Sequence, residues 1–210
     1  LYIVSLPIGC LSDISFRAIH MLSNSDYVAG EDTRNVRSLF KLLKISKSIK
    51  SIISYHDHSS AHKRGRIIDL IRQGKSVALV SDAGTPLISD PGYKLVKRAI
   101  DEGIDVSSVP GPSSVIVALT VSGLPTDTFS FLGFLPNTKS KKKKLLETYL
   151  NLSSSLIIFE SGKRLQKTLE LLAETCRPST EICSCRELTK LNEEITRFTA
   201  EEGTKVIKKM

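Results

Sequence analysis

Acidic, hydroxyl-bearing, glycine and proline residues are concentrated in one stretch, residues 81–92, directly after the apolar run 77–80. An apolar, β-branched run that ends in Ser, Asp, Gly, Thr and Pro is typical of a buried strand that opens into a structured loop. In open α/β sheets, ligands bind outside the carboxyl ends of the strands. Residues 81–92 are therefore the first candidate for a ligand-binding loop.

Three other segments combine similar residue types, and each follows a predicted strand. They are residues 6–10, 31–34 and 110–114. The serines of the last segment lead into a predicted helix, where free backbone N–H groups and the helix dipole favour a phosphate or carboxylate. A serine that only caps a helix would explain one such loop. Four loops at strand ends predict a shared ligand site.

Several familiar catalytic motifs are missing from the sequence. There is no G-x-G-x-x-G after the first strand and no G-x4-G-K-[ST], which argues against a Rossmann dinucleotide site and a nucleotide P-loop. G-x-S-x-G and H-E-x-x-H are also absent. A metal site is conceivable at His56, Asp57, His58 and His62, but its spacing lacks a matching carboxylate or cysteine. We therefore assign no metal ligand, and contact with RNA or with a substrate hydroxyl is an equal alternative for these histidines.

Positive charge is unevenly distributed along the 210 residues, whose net charge is +8. Residues 34–75 hold eleven Lys or Arg against Asp57 and Asp69, a net charge of +9, which favours a polyanionic partner. For the second basic cluster, residues 139–144, a solvated helix face is the favoured interpretation. No apolar run is long enough to span a membrane, and neither a signal peptide nor a disulfide framework is visible, so we expect a cytoplasmic protein.

The elements that must position these loops alternate between strand and helix. Eight strands are predicted, at residues 2–5, 27–30, 49–54, 76–81, 105–109, 128–133, 156–159 and 181–186. Segments with the apolar spacing of helices lie between them, so the chain is expected to be an α/β protein with a largely parallel sheet. A turn-like segment divides it into two α/β domains, 1–122 and 126–210, with a cleft between them. The second domain is expected to be truncated at its C-terminus, because its sheet has few strands.

Seven motifs, in order along the chain, resemble those of one enzyme family. They lie at residues 1–9, 31–34, 80–93, 109–113, 122–125, 131–136 and 186–190. On these motifs the chain resembles the tetrapyrrole methylases, class III methyltransferases that use S-adenosyl-L-methionine. Within that family it is similar to the branch that methylates the ribose 2′-hydroxyl of cytidine in small-subunit ribosomal RNA.

The resemblance implies two α/β domains with S-adenosylmethionine in the cleft between them, and a homodimer. The implied partner is ribosomal RNA or the small ribosomal subunit. By motif position, eight residues are implied to bind the cofactor: Pro7, Gly84, Thr85, Ile88, Ser113 and Ser114 from the first domain, and Glu160 and Leu188 from the second.

The reaction implied by the resemblance is in-line attack of the ribose 2′-oxygen on the sulfonium methyl, so alignment is the main task of the protein. A ribose hydroxyl is a weak acid, and a proton acceptor should assist it. Asp32 is the first candidate for this acceptor, and His56 is the second. Arg34 could bind a phosphate bidentately, and Lys190 could contribute charge. An Asp32–Arg34 ion pair that only closes the loop is the structural alternative.

Two other functions stay open on the sequence. One is a tetrapyrrole methyltransferase of the same fold, which the basic region 34–75 disfavours. The other is a non-catalytic RNA-binding or assembly protein, which the intact loop 81–92 disfavours. Within that loop Asp82 and Asp90 have no assigned role: both could cap turns, or Asp82 could face the substrate.

Overall fold

The structure, a computed structural model, describes residues 1–48, 51–56 and 61–206, with the backbone alone at residue 204. The chain divides into two units, Leu1–Ser113 and Ser114–Met210. The sequence placed the boundary nine residues later, at 122–126. The difference is the helix Ser114–Ser122, which packs against two strands of the second unit. Arg197 from one of those strands donates a hydrogen bond to the Ser122 carbonyl oxygen at 2.8 Å.

The first unit is built on a five-stranded sheet. Its elements are β1 (Tyr2–Val4), a short 3-10 helix (Leu11–Asp13), α1 (Phe16–Asn24), β2 (Tyr27–Gly30), α2 (Thr33–Leu42), β3 (Ile52–Ser54), α3 (Ala61–Arg72), β4 (Val77–Leu79), α4 (Tyr93–Asp101) and β5 (Ser107–Val109). The strand order is β3-β2-β4-β1-β5, and all four pairings are parallel. The predicted parallel α/β sheet is therefore confirmed here. The first two residues of the predicted strand 49–54 lie outside the described residues.

Apolar layers cover both faces of this sheet. Helices α1 and α2 bury Leu22 and Phe40 on one face, and α3 and α4 bury Ile68 and Leu95 on the other. The three residues of β4 are all buried, as is usual for a parallel strand covered on both faces. Packing on two sides fixes the strands, and it thereby fixes the points from which the loops at their carboxyl ends depart.

The second unit contains two small sheets rather than one. Its elements are α5 (Ser114–Ser122), β6 (Phe129–Phe134), α6 (Lys139–Leu150), β7 (Ser155–Phe159), α7 (Gly162–Thr175), β8 (Glu181–Arg186), β9 (Glu194–Thr199) and α8 (Gly203–Val206). Strands β6 and β7 pair in parallel, and β8 and β9 pair antiparallel. Strand β9 was not predicted, because its large apolar residues Ile195 and Phe198 are three apart and break the alternation expected of a strand.

The lysine cluster 139–144 is not uniformly solvated. Only 8% of the Lys142 side chain is exposed, and its Nζ donates to Thr168 Oγ1 at 2.9 Å and lies 3.4 Å from Glu160 Oε2. Lys142 is buried one helical turn before the buried Leu146, so this face of α6 points into the unit. The interpretation of the cluster as a solvated face is wrong at Lys142, because its ammonium is buried against the carboxylate of Glu160.

Replacing Lys142 with Met is expected to lower the free energy of unfolding by about 2 kcal/mol, because it removes one cation from a buried carboxylate. Lys143→Met is the matched control. The Lys143 ammonium lies 3.9 Å from the Glu147 carboxylate, and both side chains are exposed, so this ion pair is weak. We therefore expect the free energy of unfolding to change by no more than about 0.5 kcal/mol. Urea denaturation of the two variants measures the difference. Equal losses would show that the burial of Lys142 adds nothing to stability.

Candidate functional site

Three of the predicted loops are joined by hydrogen bonds at the carboxyl ends of β1, β4 and β5. Leu6 N donates to Gly84 O at 2.8 Å, and Gly84 N donates to Leu6 O at 3.1 Å. Thr85 Oγ1 donates to Pro112 O at 3.0 Å and lies 3.0 Å from Ser5 Oγ. Because these three strands are neighbours in the sheet, their loops meet. The structure thus brings Pro7, Gly84, Thr85, Ile88 and Ser113 onto three adjoining loops.

The loop 81–92 has an unusual backbone. Gly84 and Gly92 have positive φ values of 73° and 140°, and the non-glycine residues Leu87 and Ser89 have φ values of 74° and 58°. The left-handed region costs a non-glycine residue about 1–2 kcal/mol, so it persists only where the surroundings impose it. Such positions are concentrated at ligand and catalytic sites. The loop is therefore a constrained structure and more than a connector.

Gly84 has a further constraint. A Cβ atom there would lie 3.3 Å from Ile8 Cγ2 and 3.9 Å from the Pro112 carbonyl oxygen. The family resemblance implied that this glycine binds the cofactor. In the structure it also allows loop 81–92 to pack closely on the loop that follows β1.

Asp32 and Arg34 form the fourth predicted loop, at the start of α2. Asp32 Oδ1 accepts a hydrogen bond from the Arg34 backbone N–H at 2.8 Å, and Arg34 Nη2 lies 2.6 Å from Asp32 Oδ2. The hydrogen bond from the Arg34 side chain is the main reason that the pKa of Asp32 is lowered to about 2. The ion pair given as the structural alternative is therefore present. The Arg34 side chain is nevertheless 84% exposed.

His56 reaches the same edge of the sheet. Gly30 of β2 pairs with Ser54 of β3, and Asp32 and His56 each lie two residues beyond that pair. The two candidate proton acceptors therefore follow adjacent parallel strands at equivalent positions in the register. Asp57 and His58 lie outside the described residues. In the described part of the chain, no three His, Cys, Asp or Glu side chains are grouped to hold a metal ion.

A cavity of about 190 Å³ opens in the first unit beside these loops. It is lined by the segment that follows β1, including Pro7, by one face of α2, and by Ser81 and Asp82. Helix α2 contributes Asn35, Leu39 and Leu42 to the lining. These residues are four and three positions apart, which places them on one face of the helix. Sequence reasoning missed these residues because they match no motif, although their spacing was visible.

The end of loop 81–92 is negatively charged. Asp90 is half-buried, and burial is the main reason that its pKa is raised. A hydrogen bond from Ser81 acts in the opposite direction, whereas the nearby carboxylates of Glu31 and Asp82 raise the pKa further. This grouping of carboxylates suits a ligand that carries positive charge.

Glu160, predicted to bind the cofactor, lies inside a polar network of the second unit. Its Oε1 accepts from Ser161 N at 2.9 Å and lies 3.1 Å from Arg164 Nε, and its Oε2 accepts from Thr168 Oγ1 at 2.6 Å. Burial raises the pKa of Glu160, but these hydrogen bonds and the charges of Lys142 and Arg164 outweigh it, and the net direction is down. A cofactor contact for Glu160 stays a prediction, beside an evident structural role.

Leu188 and Lys190 lie in the turn between β8 and β9. Leu188 is half-buried between Glu187 and Thr189, which have positive φ values of 52° and 63°. Lys190 Nζ is exposed and lies 3.2 Å from Glu187 Oε2. Roles for both in cofactor binding or catalysis stay predictions.

Comparison with known proteins identifies the family. The family profile described as Tetrapyrrole (Corrin/Porphyrin) Methylases matches residues 1–203. The chain belongs to the tetrapyrrole methylase family. Its relatives include a ribosomal RNA small subunit methyltransferase I from Halalkalibacterium halodurans, which is 44% identical over 97% of this chain and 69% of the relative. The protein of the same name from Rickettsia prowazekii is 50% identical over 92% of this chain and 68% of its own.

A solved tetrapyrrole methylase has the same fold. The uroporphyrin-III C-methyltransferase of Thermus thermophilus, solved with S-adenosylhomocysteine, superposes with a TM-score of 0.65 at 17% identity. The match covers 98% of this chain and 90% of that one. The predicted tetrapyrrole methylase fold, that of the class III methyltransferases, is therefore confirmed. A separate finding is that every helix in the described ranges is too short or too polar to cross a membrane.

Gly84→Ala is expected to weaken S-adenosylmethionine binding about tenfold or more, because the new methyl group meets Ile8 and strains a loop that must keep its shape. Gly103→Ala is the matched control, because Gly103 has a similar φ of 70° but no atom within 4 Å of a Cβ. Both variants should lose about 1 kcal/mol of stability. Calorimetric titration with the cofactor separates them, and equal affinities in both variants would argue against Gly84 as a cofactor-loop residue.

Proposed function

We propose that this chain is an S-adenosylmethionine-dependent methyltransferase that methylates the ribose 2′-hydroxyl of a cytidine in small-subunit ribosomal RNA. The observation that carries the proposal is the hydrogen-bonded junction of loops 6–10, 81–92 and 110–113. It lies where parallel sheets bind ligands, in a chain 44% and 50% identical to two proteins named ribosomal RNA small subunit methyltransferase I.

The cofactor would be held in the first unit by Pro7, Gly84, Thr85, Ile88 and Ser113, with Ser114 at the start of α5. When bound, it supplies a methyl group activated by a positive sulfur. Thr85 Oγ1 is already committed to Pro112 O at 3.0 Å, so its main contribution is to fix the loop. The half-buried carboxyl group of Asp90, at the far end of the same loop, lies in an acidic environment that complements a sulfonium.

His56 is the better proton acceptor of the two candidates. Acid–base catalysis is most effective when the pKa of the group lies near the working pH, and the pKa of Asp32 is lowered to about 2. His56, which follows the adjacent strand at the equivalent position, is therefore the proposed acceptor. Asp32 then acts as a positioning residue: it caps α2 and orients the exposed guanidinium of Arg34, which can bind an RNA phosphate bidentately.

Helix α2 carries three exposed cations. Arg34, Arg37 and Lys41 are spaced by three and four residues on α2, Lys44 follows just beyond the end of the helix, and all four side chains are exposed. Three other cations of the basic region are committed within the unit. Lys47 donates to the Ser23 carbonyl oxygen at 3.0 Å, and Arg72 and Lys75 pair with Glu102 and Asp26 at 3.0 and 3.6 Å. The basic stripe on α2 (Arg34, Arg37 and Lys41) is therefore the proposed phosphate-contacting surface, and Lys44 extends it beyond the helix.

The chain is further proposed to act as a homodimer in the cytoplasm, where ribosomal RNA is located. Large apolar side chains on the surface of each unit support self-association, among them Phe16, 93% exposed, and Phe134, 56% exposed. Sedimentation velocity of the purified chain tests this: a sole species of about 23 kDa would contradict it.

The proton acceptor can be identified from pH–rate profiles. Asp32 stays ionised well below neutral pH, so Asp32→Asn should raise KM for RNA and leave kcat and the shape of the profile unchanged. His56→Gln should lower kcat by about 100-fold or more at unchanged affinity for RNA, because it removes the proposed proton acceptor. Asp32→Asn combined with Arg34→Gln should cost no more than either change alone, since the two side chains act as one unit. A large fall in kcat for Asp32→Asn at constant KM would return the acceptor role to Asp32.

Methyl transfer from labelled cofactor to small subunits that lack the modification tests the activity, with the methylated ribose mapped afterwards. Replacing Arg37 and Lys41 with Ser should reduce the slope of log affinity against log salt by about 2, since each phosphate contact adds about 1. Lys141→Ser with Lys144→Ser is the control, because it removes equal charge from helix α6 in the second unit. Label on a tetrapyrrole instead of RNA, or no cofactor binding at all, would favour one of the two alternatives given above.

A further inference from the structure

The cavity of the first unit has the size of a single aromatic ring with its substituents. Its volume is about 190 Å³, and an engineered apolar protein cavity of about 150 Å³ binds benzene. A whole S-adenosylmethionine molecule needs more, since sites for ligands of that size run to about 300–1,000 Å³. The cavity therefore suits one nucleobase.

Two segments of the chain give the cavity apolar walls. Leu39 and Leu42 come from α2, and Leu6 and Leu11 come from the segment after β1. Enzymes that act on one nucleotide commonly extrude it and hold the base between apolar or aromatic side chains. These four leucines give a planar base apolar surface against which to pack.

Two polar side chains at this cavity are free to read the edge of a base. Neither the Asp82 carboxylate nor the Asn35 amide hydrogen-bonds to another residue within the described ranges. Ser81, by contrast, is engaged: its hydroxyl donates to Ala83 O at 3.0 Å. An ionised carboxylate only accepts hydrogen bonds, whereas an amide also donates. The cavity thus offers an acceptor from Asp82 and a donor from Asn35.

This pair of groups matches cytosine. The exocyclic amino group of cytosine donates, and carboxylates are its usual partner in direct readout. Its carbonyl oxygen accepts, which suits an amide donor. Uracil places a carbonyl oxygen where cytosine has the amino group, so the Asp82 carboxylate would face an acceptor and repel it. Asp82 and Asn35 are exposed in the free protein, and a bound base would cover them; a polar group that is covered and left unpaired rejects the wrong base more strongly than shape alone does.

We propose that this cavity binds the target cytosine of the RNA, with Asp82 accepting from its amino group and Asn35 donating to its carbonyl oxygen. The inference rests on the proposed function. It assigns Asp82 to substrate selection and leaves Gly84 and Thr85, two and three residues further along the same loop, to the cofactor. One loop then sets the positions of the base and of the methyl donor together.

The test uses the full chain and RNA substrates with cytidine or uridine at the mapped position. Asp82→Asn should lower kcat/KM for the cytidine substrate about tenfold or more and reduce the preference for cytidine over uridine by a similar factor. The affinity for S-adenosylmethionine should not change. Asp101→Asn, on the exposed end of α4, is the matched control and should alter neither quantity.

A second pair of variants tests the cavity by filling it. Leu42 is 64% exposed, so Leu42→Trp can occupy the cavity without disturbing the core, and it should raise KM for RNA with unchanged thermal stability. Leu152→Trp, at a leucine of the second unit that is 52% exposed, should have no effect on KM.

Adenine of the cofactor carries an amino donor too, and the variants distinguish the two sources. Loss of cofactor affinity in Asp82→Asn or Leu42→Trp would overturn the proposal and give the cavity to the cofactor. An unchanged preference for cytidine in Asp82→Asn would overturn it as well. If the wild-type chain methylates no RNA, the proposed function fails on its own. The role of the cavity is then tested by NMR titration with cytidine and uridine monophosphates. A preference for cytidine monophosphate that is lost in Asp82→Asn would support the proposed cytosine site, and equal binding of the two nucleotides would overturn it.

Discussion

The backbone bridge between Leu6 and Gly84 is the constraint on which the candidate site depends. Its two hydrogen bonds, 2.8 and 3.1 Å long, connect segments almost eighty residues apart, and they do so in a region without regular secondary structure. The contact of Thr85 with Pro112 adds the third loop. Because the strands beneath are packed on both faces, the three loops share one rigid base and can hold a ligand with little reorganisation.

Helix α2 joins the remaining functions to this base. Its first turn is fixed by the Asp32 cap, one of its faces lines the cavity, and its exposed side carries the basic stripe. The ion pair of Asp32 with Arg34 shows how one contact can serve both tasks: it starts the helix and leaves a guanidinium in solvent. The basic stripe, one wall of the cavity and the capped first turn therefore all belong to one ten-residue helix.

Much of the fold could be predicted from the sequence, because β1 to β8 are short apolar runs separated by helical spacing and turn residues. Strand β9 could not, since Ile195 and Phe198 do not alternate. The four loops were recognisable from their residue types and from topology, which places strand ends together. The burial of Lys142 and the cavity face of α2 were not predictable in the same way. Both depend on which face of a helix packs against which other segment. The contacting residue, such as Glu160 for Lys142, is distant in sequence, so helical spacing alone does not identify it.

The strained loop 81–92 has a thermodynamic consequence under the proposed roles. If Asp82 contacts the RNA base while Gly84 contacts the cofactor, each ligand removes part of the conformational freedom that this constrained loop still has, and the second ligand to bind has less of it to remove. Linkage requires the effect to be mutual, so RNA would tighten cofactor binding by the same factor by which the cofactor tightens RNA binding. Leu87 and Ser89, whose left-handed backbone is imposed by the folded loop, lie in the segment that both ligands would restrict.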